Sequence, residues 1–144
     1  MPALQIPYIR NFAPHILSVL RIFAAGSFFT HGTMKLFSWP APFEYPLNPL
    51  LLTAGVLEVV GGLLLVFGLF ARPVAFLLSG SMAFAYFIVH SSNGFFPVLN
   101  HGEAAMLYCF LFLYISAAGP GVWSLDALRE RKAGTTSSRL ETAT

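Results

Sequence analysis

Charged side chains are absent from residues 22–34, 36–43, 45–57, 59–71, 73–102 and 104–125. Runs of this length leave few ways to fold in water. Only 10% of the 144 residues are charged, and 56% are hydrophobic. An ordinary soluble domain carries roughly a quarter charged residues, so this chain cannot cover a water-facing surface. A soluble globular enzyme and a disordered chain are both excluded. The net charge of +2 gives no reason to expect a nucleic-acid partner. The single cysteine, Cys109, excludes an internal disulfide, a CxxC redox pair, an iron–sulfur cluster and a thiolate metal site. No metal site is expected.

The remaining architecture is all-α: a bundle of four transmembrane helices. Four spans of about 20 residues use about 80 apolar positions, which matches the composition. The expected spans are Pro14–Phe37, Pro49–Phe70, Pro73–His90 and Glu103–Ala118. Pro14, Pro49 and Pro73 fall at or beside helix starts, where a missing backbone N–H costs little. Gly119-Pro120-Gly121 stops the last span. Residues 1–13 form an N-terminal segment, 14–128 the membrane domain, and 129–144 a tail that is basic and then, from about Ala133, disordered. Four spans put Arg10, Arg72, Arg129, Arg131, Lys132 and Arg139 on one side and at most Lys35 on the other. The positive-inside rule then places both termini in the cytoplasm. Membrane lipid is a partner throughout. A homo-oligomer is compatible with so small a unit, although no GxxxG pattern supports it.

Ionisable groups inside the spans carry the functional information, because each costs at least about 2.5–3.5 kcal/mol to insert and needs a partner or a task. Arg21, His31 and Lys35 lie within an arc of about 80° on the first helix. Glu58 sits on the second, among Ala54, Gly55, Gly61 and Gly62, where a neighbouring helix can approach closely. Helical depth makes Arg21 the expected cation for Glu58, with His31 approaching from above. His90 lies 17 residues after Pro73 and His31 lies 17 after Pro14, so both reach similar depth. Glu103 opens the fourth span at that level. His31, Lys35, His90 and Glu103 are therefore expected to form a cup near the outer face, with Glu58 and Arg21 beneath. Structural readings stand beside this one. Arg21–Glu58 pairing fixes helix packing, Lys35 snorkels at a helix end, Asn100-x-x-Glu103 caps a helix, and His90 ends one.

The order of these residues resembles the DoxX family of small bacterial membrane proteins. The resemblance rests on Arg21, His31-Gly32-x-x-Lys35, Glu58-x-x-Gly61-Gly62, Gly68-Leu69-x-x-Arg72, His90, Asn100-x-Gly102-Glu103 and Gly119-Pro120-Gly121-x-x-Ser124-Leu125-Asp126. It implies an inner-membrane bundle and, in some members, a small subunit of a quinone-linked oxidoreductase that takes electrons from a protein partner. The expected ligand is a quinone, non-covalently held in an apolar slot, with His31 or His90 hydrogen-bonding and protonating one carbonyl oxygen, Lys35 or Arg21 polarising the developing negative charge, and Glu58 and Glu103 relaying protons to the outer face. Haem b between His31 and His90 fits poorly, since neighbouring charges crowd a macrocycle. The alternative is a non-catalytic adaptor or small-molecule carrier whose intramembrane charges serve packing.

Overall fold

The computed structural model describes residues 7–141, with side chains described for residues 9–134. Residues 1–6 of the expected N-terminal segment and 142–144 of the expected tail lie outside the described residues. Helix α1 spans Pro7–Phe37, α2 Pro49–Phe67, α3 Ala71–Ala85, α4 Pro97–Asn100, α5 Glu103–Ala118 and α6 Leu125–Glu141. A π turn at Tyr86–His90 and a 3-10 turn at Ser91–Asn93 prolong α3. No strand occurs among the described residues.

The helix boundaries follow local chemistry. Asn48 caps α2, its side chain accepting from the Leu51 N–H at 2.9 Å, with Pro49 as the first helical residue. Gly68 ends α2 at φ 64°, and its N–H and that of Leu69 return to the Leu65 and Leu64 carbonyls. That Schellman arrangement requires a left-handed residue, which glycine supplies without a Cβ penalty. Phe70 caps α3 without a side-chain bond of its own. Asp126, from the start of α6, does this instead: its carboxylate accepts from Phe70 N at 3.0 Å and Ala71 N at 2.8 Å.

Three boundaries differ from the sequence expectation. The first helix begins at Pro7, with Pro14 inside it. Proline there removes only the bond to the Arg10 carbonyl, in a stretch exposed on both sides, so the helix passes through. The second ends at Phe67, and Gly68-Leu69-Phe70 form the link to α3. The tail region is helical to Glu141, where disorder from about Ala133 is expected from composition.

α1 and α2 pack antiparallel. A Cβ on Gly32 would meet Gly55 O and Val59 N at 2.8 Å, and one on Gly62 would meet the Phe29 Cβ at 3.0 Å. The backbones therefore touch through glycine, as the small residues around Glu58 suggest. α3 and α5 are likewise antiparallel, joined by Ser79 Oγ donating to the Cys109 carbonyl at 2.8 Å. α2 and α3 form the next seam. α1 and α5 meet through aromatic rings: Phe28 packs on Phe112 and Tyr108 with centroids 4.9 and 5.2 Å apart. Phe28, Leu65, Leu78, Phe112 and Ile115 are fully buried at the centre. The outside is oily, with Phe23 75% exposed and Phe76 67% exposed. Three helical stretches, Ile9–Phe37, Pro49–Phe67 and Ala71–Asn93, are long and apolar enough to cross a membrane. Glu103–Ala118 is apolar but shorter. At about 1.5 Å per residue it spans about 24 Å.

Candidate functional site

The antiparallel packing gives the molecule two ends. The C-terminus of α1, the N-terminus of α2, the π turn and the N-terminus of α5 share one, the Lys35 end. The opposite end carries Arg21. Each end gathers buried polar groups, and their chemistry differs.

At the Arg21 end a fully buried guanidinium donates, among the described residues, to main-chain oxygens alone. Arg21 Nη1 donates to the Leu65 and Val66 carbonyls at the C-terminus of α2, Nε to Pro120 O at 2.7 Å, and Nη2 to Trp123 O at 2.6 Å. Helix C-termini leave carbonyls without intrahelical partners, and a cation complements both the lone pairs and the dipole. Ser18, one turn earlier on α1, accepts from Trp123 N at 3.1 Å. Arg72 does for α5 what Arg21 does for α2, donating to Ser116 O at 3.1 Å and Ala117 O at 2.5 Å. This end is a clasp that ties the residue 118–126 connection to α1, α2 and α3. The sequence motifs contain its residues, but their partners are backbone atoms that a side-chain pattern does not announce.

At the Lys35 end the cation of Glu58 is Lys35, not Arg21. Lys35 Nζ pairs with Glu58 Oε1 across the α1–α2 seam, and the two side chains are 13% and 5% exposed. The expected Arg21–Glu58 pair is thus corrected. Lys35 turns into the seam rather than snorkelling at the helix end, where Gly32 and Gly55 bring the two backbones into contact. The Phe43 ring covers the ammonium, 5.8 Å from its centroid. The second carboxylate oxygen, Glu58 Oε2, is buried and has no hydrogen-bond partner among the described residues.

The other expected members of the cup lie at the same end of the molecule. His31 is exposed on the flank of α1, its ring edge-on to Tyr108 at 6.1 Å. Tyr108 in turn donates to Ser27 Oγ at 2.8 Å. His90 Nδ1 lies 3.1 Å from Asn100 O. Glu103 is exposed at the first turn of α5, where its charge suits the helix dipole. Asn100 does not cap α5. It is buried, donating to Gly94 O at 2.7 Å and accepting from Gly102 N at 2.8 Å, and so closes the 91–102 loop with Tyr86, whose hydroxyl donates to Phe95 O. The structure brings Lys35 and Glu58 together, leaves His31 beside them on α1, sets His90 and Glu103 at the same end, and moves Arg21 to the far end. Among the described residues, no three His, Cys, Asp or Glu side chains gather as a metal-binding group.

Comparison with known proteins bears on the same residues. The DoxX family profile matches residues 16–91, which hold Arg21, His31, Lys35, Glu58 and His90. The chain belongs to the DoxX family. An uncharacterized protein of Haemophilus influenzae is 44% identical to this DoxX protein over 125 residues, covering 82% of this chain and 93% of that one. No solved structure matches it. Family membership and the apolar helices make it a membrane protein.

Proposed function

We propose that this DoxX protein is a small inner-membrane subunit of a quinone-linked oxidoreductase assembly, with its polar ligand site at Lys35 and Glu58. The observation that carries the reading is Glu58 Oε2, a buried carboxylate oxygen left without a partner beside a lysine that satisfies only its twin. Leaving such an atom unmet costs about 1–3 kcal/mol or more, so it suits a position that a ligand completes. The donor set matches a quinone. Lys35 has further N–H donors for a carbonyl oxygen, and Oε2 can accept from a hydroxyl or hold its proton. A bound quinone would supply two-electron chemistry, the electrons coming from a partner subunit. His31 would serve as the proton carrier on the lipid-facing side, and His90 and Glu103 would border the site at the same end.

In this reading α5 is the fourth crossing and both termini are cytoplasmic. Pairing with Glu58 removes Lys35 from the charge count of its end, which sharpens the basic excess at the other. A C-terminal green fluorescent protein fusion is expected to fluoresce, and alkaline phosphatase fused there to be inactive. Phosphatase inserted at Gly94 should be active. The opposite pattern would invert the topology and place the Lys35 end in the cytoplasm.

The site is tested by organic extraction and mass spectrometry of the detergent-purified protein. Quinone is expected in the wild type and reduced about tenfold, the equivalent of about 1.4 kcal/mol, in Lys35→Met and Glu58→Gln. Wild-type protein without quinone would leave the adaptor or carrier reading. That second reading draws on the clasp, where Arg21, Arg72 and Asp126 all serve helix ends.

A further inference from the structure

The Arg21 end carries a surface that neither the clasp nor the Lys35–Glu58 pair uses. A groove runs between the end of α2 and the start of α6, lined by Val66, Phe67, Val122, Trp123, Leu125 and Leu128 with Ser124 among them. Its walls are apolar and open: Phe67 and Trp123 are each 56% exposed and Leu128 50%. Arg131 borders the same groove. At about 100° per residue, Arg131, Leu128, Lys132, Leu125 and Arg129 fall within an arc of about 160° on α6, with Asp126 and Glu130 opposite. Asp126 is engaged by the Phe70 and Ala71 N–H groups, and the Arg129 guanidinium rests over the Phe70 ring at 5.2 Å. Trp123 is anchored through both backbone polar groups, its N–H to Ser18 and its carbonyl to Arg21. One wall of the groove is therefore fixed in place by the clasp.

We propose that this groove is a binding site for an anionic phospholipid, an acyl chain lying along Phe67, Trp123 and Leu128 and the headgroup phosphate meeting Arg131. The pattern of apolar wall with a cationic rim complements a lipid of that charge. It lies where the helices of a membrane protein end and basic residues begin, which is also where tryptophan prefers to sit. A zwitterionic lipid offers the same acyl chain but carries an ammonium that the three cations of this face oppose. The site is independent of any quinone at the other end.

The chain has two tryptophans, Trp39 and Trp123, so a Trp39→Phe protein reports from Trp123 alone. Reconstituted into phosphatidylcholine vesicles, it is titrated with brominated phosphatidylglycerol or, in parallel, brominated phosphatidylcholine, whose bromines quench a neighbouring indole. At low mole fraction the brominated phosphatidylglycerol is expected to occupy the site about fivefold more effectively, the scale of one basic contact with anionic lipid. Arg131→Gln should remove the preference and Arg131→Lys keep it. Raising the salt should weaken it in the unsubstituted rim, a check that needs no rim variant to fold. Equal quenching by the two lipids would overturn the proposal. So would a preference indifferent to both salt and Arg131, which would show that no headgroup phosphate meets that guanidinium.

Discussion

Arg21→Met is expected to cost about 3–5 kcal/mol of stability, the range seen when one partner of a buried charged network is removed. The guanidinium is fully buried, and four carbonyls from two separate segments depend on it. Methionine fills much of the volume and supplies no donor. The Val66 carbonyl at the α2 terminus would then lose the Arg21 donor, and the Leu65 carbonyl would keep only the Gly68 N–H. Trp123 would keep only its bond to Ser18. Arg21→Lys should recover less than half of the loss, because a compact ammonium cannot fork between α2 and the 120–123 turn. Unfolding by SDS titration, followed by far-ultraviolet circular dichroism, measures both. A loss below about 0.5 kcal/mol for Arg21→Met, the size of an ordinary surface substitution, would show that the clasp does not hold this end together. Because the groove depends on the Trp123 backbone, the same variant should also blunt any lipid preference.

The elements were legible in the sequence where chemistry is local. Charge-free runs mark the helices, Pro49 marks the start of α2 and Gly119 marks the end of α5, whereas α2 ends at Phe67 under the Gly68 cap, three residues before the expected Phe70. The glycines around Glu58 indicate a close neighbour, and α1 is that neighbour. Partner choice was less legible. Arg21 looks like the cation for Glu58 when depth is counted from Pro14, yet every helix end offers free carbonyls, and arginine takes those of α2. An ion pair is visible as two letters; a guanidinium on main-chain oxygens is visible as one. His31 shows the second difficulty. It lies at the edge of the arc of about 80° that contains Arg21 and Lys35, and that offset is enough to turn it out of the interior while the other two stay in. Asn100 shows the third. Its spacing to Glu103 satisfies a capping rule, but the residue is buried under Tyr86 and closes a loop instead.

The Lys35–Glu58 pair separates packing from ligand binding, since the two roles respond differently to removing both charges. Lys35→Met leaves a buried carboxylate without its cation, and Glu58→Met leaves a buried ammonium without its anion. Each single change is expected to cost about 3 kcal/mol. The double variant replaces both with apolar chains of similar volume, along a seam already lined by Val59, Leu36 and the facing glycines. It should return to within about 1 kcal/mol of the wild type, because no charge is left to desolvate. An SDS-titration double-mutant cycle gives the coupling energy directly. Co-purified quinone should be lost from both single variants and should stay lost from the double, whose fold is restored. Recovery of quinone in the double variant would remove Lys35 and Glu58 from the site. Failure of the double variant to regain stability would mean that the pair orders the α1–α2 seam in a way that apolar packing cannot reproduce, and the intramembrane charges would then belong to the architecture rather than to a ligand.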